Sequence, residues 1–353
     1  MARSATNRGG TPLVSVVVPT HDHGPTLVPA VRSALRQTVA ELEVLIVGDG
    51  MPSLAAEVAR RLEREHERVR LFEFEKGARH GEVHRDRVIE HHARGRFVLY
   101  LSDDDLWLPE HAATLVAALD GVDFVGGTAA SVLHEGLALT PAHDLSRPDF
   151  RPLLLSPGRV WNAIPLSVAG HGRAAYLRSE ARWSPAPTTI WTDLHFYRGL
   201  LADERIGAAS SDEVTCLHFA AAERNGMTSA ERVSELERWG RRLEDAGELA
   251  TIRREFEQAR WTRAVEAELR AAEAHGALTE AHFEARHLRA LAVEADELRD
   301  AAEARLHAVE STLTWRLRMW LGGTRTGRLA VAAVSALLRR IDRRARCTVS
   351  RWR

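Results

Sequence analysis

From Pro12 to about Gly126, short apolar runs alternate with longer stretches whose apolar positions recur every three or four residues. LVSVVVP reads as a buried strand and TLVPAVRSALRQT as the helix after it. LEVLIVGDG and SLAAEVARRLEREHE repeat the pair, VRLFEFE and EVHRDRVIEHHARG repeat it again, and RFVLYLS reads as a fourth strand. Val, Ile and Leu in unbroken short runs indicate strands buried on both faces, the pattern of a parallel sheet between helices. Ligands of such sheets sit beyond the carboxyl ends of the strands. Asp49 ends the second run, and Asp103, Asp104 and Asp105 follow the fourth.

The pattern then changes twice. Residues 127–228 are irregular and richer in Pro and His, as an acceptor-binding half joined to a nucleotide-binding half would read. Between 229 and 312 Pro disappears, and Glu, Arg, Ala and Leu dominate. Leu288, Leu291, Ala295 and Leu298 keep a 3-4 spacing, as do Leu306, Val309 and Leu313 in an offset run. That spacing predicts long helices that pair with each other or with another copy in a homo-oligomer, with a solvated charged helix as the alternative.

The tail, 313–353, holds eleven arginines against one acid, Asp342, with Trp315, Trp320 and Trp352 interspersed. A basic amphipathic helix with aromatic anchors suits an anionic membrane surface. Docking on a partner or on the chain's own domain is the competing reading, and no nucleic-acid recognition motif accompanies the charge.

With 353 residues and 45% apolar content, the chain can bury one substantial core and carry an appendage. Lys76 is its only lysine. Two cysteines, Cys216 and Cys347, cannot build a disulfide framework or a thiolate zinc site, which fits a reducing compartment. Leu13–Val18 is too short for a secretory leader, and no apolar run is long enough to span a bilayer. The expectation is a cytoplasmic protein, peripheral at the inner face of the plasma membrane through its tail.

Three adjacent carboxylates repel one another unless hydrogen bonds or a cation offset the repulsion. Alone, DDD before a proline-started helix reads as a turn and capping cluster. Four stretches in order alter that: VSVVVPTHDHGPTL, SALRQTVAELEVLIVGDGMPS, ARGRFVLYLSDDDLWLPEH and WTDLHFY. Together they resemble glycosyltransferase family 2, inverting enzymes of the GT-A fold, over about residues 13–220.

The resemblance implies a mixed, mainly parallel α/β sheet in a GT-A domain at 13–228. A flexible 1–12 precedes it, and the helical or coiled-coil segment 229–312 and the tail follow. Thr20 and Asp49 fall where the family contacts the nucleotide, with Gly48 in place of the usual first Asp. Ser102, Asp103 and Asp104 take the three places of the DXD motif, Ser102 replacing its first Asp. Asp104 is then the metal ligand, Asp103 a ribose contact and Asp105 a support for the metal shell. Asp193, in WTDLHFY, matches the catalytic base.

Arg85 and Arg87 are candidate partners of the donor phosphates, a solvated helix face being the alternative. His218 either completes the metal shell or lines the acceptor site, with a structural role as the alternative; His171 is a weaker acceptor-side candidate. His80, His84, His91 and His92 lack zinc-ligand spacing.

The implied activity is sugar transfer from a nucleotide-diphosphate sugar, UDP- or dTDP-linked, to a hydroxyl of a saccharide or lipid-linked acceptor. The implied cofactor is Mg²⁺ or Mn²⁺, and the setting cell-envelope polysaccharide or glycolipid assembly. A nucleotidyltransferase would carry a glycine-rich basic loop after the first strand, whereas PTHDHGPTL has one glycine and no Arg or Lys. A degenerate domain serving as a membrane-associated scaffold stays open, on Gly48 and Ser102.

Overall fold

The computed structural model describes residues 10–156, 161–321 and 336, excepting the side chains of 314, 315 and 317–321. In chain order the elements begin β1 (Val14–Thr20), α1 (Leu27–Leu35), β2 (Leu42–Asp49), α2 (Ser53–Glu65), β3 (Val69–Phe74) and α3 (Glu82–His91). There follow β4 (Phe97–Tyr100), β5 (Leu106–Trp107), α4 (His111–Ala118), β6 (Phe124–Leu133), β7 (Gly136–Leu139) and α5 (Arg151–Leu155). The chain continues through β8 (Ala169–Gly172), α6 (Arg173–Arg178), α7 (Thr192–Ala202), β9 (Ala208–His218), α8 (Ser229–Glu244) and α9 (Ala246–Leu321).

Among the described residues one mixed sheet runs β3-β2-β1-β4-β8-β6-β9-β5, with β7 on the edge of β6. β1, β2, β3 and β4 are mutually parallel, as their mainly apolar runs between helical stretches indicated. β8 joins β4 and β6 antiparallel, and β9 returns parallel to β6. This is the mixed α/β architecture with a long trailing helix expected from the sequence. Val14, Val16, Val17, Val18, Leu45 and Ile46 are sealed from solvent in the main core. Each such side chain contributes about 1.5–3 kcal/mol of burial free energy, an upper figure.

Ser15 and Glu43, polar residues inside β1 and β2, are matched. Ser15 Oγ donates to Glu43 Oε1 at 2.8 Å, and Arg94 Nη2 stands 2.7 Å from Glu43 Oε2. Gly95 is required beside them, because a Cβ there would lie 2.4 Å from Ser15 N.

A second apolar cluster unites Leu106, Leu108, Val132, Leu217 and Phe219 with Leu236 and Leu243 of α8 and Ile252 and Phe256 of α9. α8 starts at a capping box: Thr228 Oγ1 accepts from Glu231 N, and Glu231 Oε2 accepts from Thr228 N at 2.7 Å. α8 begins at Ser229, and the first compact unit extends to Glu266. Its cause is this cluster, which needs α8 and the first turns of α9 as its cover.

The second unit starts at Ala267. From there to Val309 every residue is exposed, Leu288, Leu291, Leu298 and Leu306 among them. Where long helices were expected, one helix of 76 residues runs from Ala246 to Leu321. Among the described residues no helix is long and apolar enough to cross a membrane. The basic tail beyond 321, position 336 apart, and residues 1–9 lie outside the described residues.

Candidate functional site

At the carboxyl ends of β1 and β2 and beyond β4, the sheet opens into a cavity of about 910 Å³, within the range of nucleotide-sized ligands. Its floor carries Thr20, Asp49, Ser102 and Asp103. One wall carries the cations Lys76, Arg79 and Arg85, with His80 beside them. The other is the segment Thr188–Asp193, which enters α7.

Asp49 is held from three sides. Gly77 N donates to its Oδ1 at 2.6 Å, Lys76 Nζ bonds its Oδ2, and His84 Nε2 stands 3.5 Å from Oδ1. His84 in turn stacks on Phe74, ring centroids 4.4 Å apart. Gly81 completes the cradle at φ 72°, where a Cβ would lie 2.7 Å from Asp49 Cγ. At Gly48, a Cβ would meet the Met51 side chain at 2.4 Å. Met51 therefore fills the space where a first carboxylate of the pair would stand.

The three carboxylates after β4 part company. Asp103 Oδ1 receives His23 Nδ1 at 3.1 Å, across 80 positions of sequence. Asp104 Oδ1 accepts from Ser102 Oγ at 2.8 Å, and its Oδ2 lies 3.9 Å from His23 Nδ1. One ligand atom each of His23, Asp103 and Asp104 lies within 4.8 Å of the others, a donor set that fits a divalent cation. Burial, then the charges of Asp105 and Asp103, push Asp104 up to about 7. The hydrogen bond to Asp103, acting against burial, raises His23 to about 9.

Asp105 turns the other way. Its oxygens accept from Ser167 Oγ at 2.5 Å, Phe219 N at 2.8 Å and His218 Nδ1 at 3.1 Å. Burial opposes its charge, but His218 and these hydrogen bonds outweigh burial and hold it below the ordinary carboxylate range. The structure thus brings Asp103 and Asp104 together with His23, while Asp105 and His218 satisfy each other. Sequence reasoning passed over His23 and Lys76 as ligands. Lys76 carried a signal in being the only lysine, whereas nothing along the chain links His23 to Asp103.

Asp193 opens α7 on the cavity wall. Its Oδ1 accepts from Leu194 N at 2.7 Å and its Oδ2 from Asn162 Nδ2 at 2.9 Å. Burial raises its pKa, opposed by its own helix N–H and by the nearby Arg85 guanidinium. A carboxylate so placed is a stronger base than a solvated one.

Arg85 is buried, its guanidinium 4.7 Å over the Trp183 ring, with Nη2 donating to His80 O at 2.7 Å. Trp183 is fixed by its Nε1 donating to Tyr100 Oη at 2.8 Å, and Tyr100 Oη pairs with His171 Nε2 at 2.6 Å. His171 is fully buried, held near pKa 4 by that burial, and serves this network rather than the cavity. Arg87 stays outside the cavity: it is exposed and stacked over Phe74 at 5.8 Å. Thr20 Oγ1 and Arg85 Nε are buried without a hydrogen-bond partner.

Residues 15–179 match the sequence profile of "Glycosyl transferase family 2". One relative is the uncharacterized glycosyltransferase EpsJ of Bacillus subtilis (strain 168), 31% identical over 94 residues, 27% of this chain and 26% of that one. Another is the uncharacterized glycosyltransferase alr2836 of Nostoc sp. (strain PCC 7120), 26% identical over 188 residues, 51% of this chain and 56% of the relative. The chain therefore spans about a quarter and about half of these two relatives. Among solved structures, S. aureus TarS 1-349 in complex with UDP-GlcNAc is similar at TM-score 0.48 and 16% identity, covering 64% of this chain and 65% of that one. The mannosyltransferase PcManGT from Pyrobaculum calidifontis, in complex with GDP-Man and Mn²⁺, is similar at TM-score 0.42 and 20% identity, covering 74% and 81%.

Proposed function

We propose, from the match of residues 15–179 to the profile of glycosyltransferase family 2, that this chain is a metal-dependent, inverting glycosyltransferase of that family. The observation that carries the reading is one cavity lined by Thr20, Asp49, Asp103, a cationic wall and Asp193. Asp49 and Thr20 receive the nucleoside, Lys76, Arg79 and Arg85 face its diphosphate, and Asp193 faces the transferred sugar. Arginine and lysine suit phosphate oxygens by charge and by N–H geometry.

Asp193 takes the proton of the acceptor hydroxyl as that oxygen attacks the anomeric carbon from the face opposite the diphosphate. One displacement inverts the configuration, and base assistance of this kind is typically worth about 10²–10⁴-fold. Asp103 and Asp104 would hold a Mg²⁺ or Mn²⁺ ion, which neutralises charge growing on the diphosphate leaving group. Ser102 supports that role by orienting Asp104 through their hydrogen bond.

The acceptor is a saccharide or lipid-linked hydroxyl of envelope assembly, reached at a membrane surface through the arginine-rich tail. Leu288, Leu291, Leu298 and Leu306, exposed along α9, form a face for association between copies. These two statements rest on charge and spacing, and vesicle flotation and light scattering test them. Calorimetry of UDP, dTDP and GDP with and without Mn²⁺, on wild type and Asp104→Ala, tests the donor site. Metal-dependent binding of one nucleotide, lost in the variant, is expected; a folded protein that binds none of them would return the scaffold reading.

A further inference from the structure

We infer that His23 is the third protein ligand of the cation site, and that its imidazole tilts the site toward Mn²⁺ over Mg²⁺. The inference rests on the donor-site reading above and departs from the ligand set that the sequence suggested.

Geometry comes first. His23 stands on the loop between β1 and α1, with Nδ1 3.1 Å from Asp103 Oδ1 and 3.9 Å from Asp104 Oδ2. Its side chain is 38% exposed and those of Asp103 and Asp104 9% and 15%, so the cluster reaches solvent through His23. No other group of three His, Cys, Asp or Glu side chains among the described residues converges in this way. The rival candidates are occupied: Asp105 accepts three hydrogen bonds, one of them from His218. With Ser102 in the first place of the motif, Asp103 and Asp104 are the carboxylates that converge, and phosphate and water can complete an ion's shell. His23 adds a nitrogen donor to them from a different loop.

A second observation points to a ligand at the same place. His23 and Asp103 line the cavity, and so do Thr20 and Arg85. Thr20 and Arg85 are each 5% exposed, and Thr20 Oγ1 and Arg85 Nε have no partner. Buried polar atoms are costly to leave unpaired, and a bound nucleotide diphosphate beside the ion would satisfy them.

The donor set then speaks to the ion. Mg²⁺ prefers oxygen ligands in strict octahedral geometry and keeps its waters, so an imidazole adds little to its binding. A first-row transition ion gains from nitrogen as well as from carboxylate.

The test uses the full chain with Mn²⁺, alone and with UDP or GDP. Pulsed electron paramagnetic resonance should show ¹⁴N modulation from an imidazole bound to Mn²⁺ in the wild type and none in His23→Ala. Mn²⁺ affinity should fall at least about tenfold in His23→Ala, the scale on which metal-site residues are felt. His23→Asp should keep the ion without the nitrogen signal and narrow the preference for Mn²⁺ over Mg²⁺. Bound Mn²⁺ lacking nitrogen modulation in the wild type, or modulation that survives in His23→Ala, overturns the inference. Calorimetry on the same samples separates the two levels. Nucleotide bound beside a nitrogen-free Mn²⁺ removes His23 alone, whereas a folded chain that takes up neither nucleotide nor Mn²⁺ removes the donor-site reading with it.

Discussion

His218 Nδ1 lies 3.1 Å from both carboxylate oxygens of Asp105, a pair separated by 113 residues that ties the end of β9 to the turn after β4. The Asp105 charge, against burial, raises His218 from 6.5 to about 9. A group whose folded pKa is raised stabilises the fold fully below its unfolded value and loses that contribution as pH rises through the folded one. The thermal midpoint should therefore fall between pH 6.5 and about 9. His218→Asn should flatten that decline and cost about 1–2 kcal/mol at pH 6, after allowance for the 29% exposure of the His218 side chain. Scanning calorimetry across that range checks it; equal slopes in both proteins would detach stability from the pair.

Asp193→Asn should lower transfer by about 10²–10⁴-fold while leaving nucleotide binding within about twofold. Because burial raises Asp193, activity in the wild type should be lost on acidification at a higher pH than an ordinary carboxylate would give. Hydrolysis of UDP-, dTDP- and GDP-sugars, with proton nuclear magnetic resonance of the released anomer, reads both rate and stereochemistry. A retained configuration would contradict single displacement.

Lys76 offers a test that few chains allow, since it is the only lysine and its ammonium bonds the Asp49 carboxylate at the cavity. Periodate-oxidised UDP carries ribose aldehydes that condense with an amine, and borohydride fixes the product. Labelling should map to Lys76 and be blocked by excess UDP. Lys76→Met should abolish it and weaken nucleotide binding about tenfold, the scale of one charge-assisted contact. Labelling confined to the chain's amino terminus would place the nucleoside elsewhere.

The parallel half of the sheet was legible because β1 to β4 are mainly apolar runs alternating with amphipathic stretches, and the ends of β2 and β4 lead to Asp49 and the acidic turn. β6, FVGGTAASVL, hid behind its small residues. A Cβ at Gly126 would meet His143 Nε2 at 2.8 Å, and one at Gly127 would meet Leu115 Cδ2 at 3.1 Å. Crowding from α4 and the following loops thus removes the side chains by which a strand is recognised. At the site, the family resemblance singled out Thr20, Asp49, Asp103 and Asp193, which line one cavity, while the direction of each carboxylate in DDD depends on partners far along the chain. Asp103 meets His23 and Asp105 meets His218, and neither pairing leaves a trace in spacing.

Gly81→Ala should weaken nucleotide binding without disturbing the sheet. A non-glycine residue at φ 72° costs about 1–2 kcal/mol, and the new methyl would press on Asp49, 2.7 Å away. Circular dichroism unchanged with affinity reduced is the expected pair of results. Unchanged affinity would mean that Asp49 does not meet the nucleotide.

The last prediction concerns where the catalytic unit ends. The composition shift at 229 suggests a cut there, but Leu236, Leu243, Ile252 and Phe256 are buried against Leu106, Leu108 and Phe219. Leu106 follows Asp105 directly, so this cluster backs the acidic turn as well as the edge of the sheet. Losing four buried side chains at about 1.5–3 kcal/mol each removes an amount comparable to the whole stability of a typical domain, about 5–15 kcal/mol. A chain ending at 228 should therefore aggregate or lose cooperative melting. A chain ending at 266 keeps all four residues and the Arg253–Glu110 ion pair, at 2.9 Å. It should melt cooperatively and bind nucleotide as the full chain does, by scanning calorimetry and titration. Cooperative melting of the 228 chain would show that α8 and α9 cover the domain without holding it together.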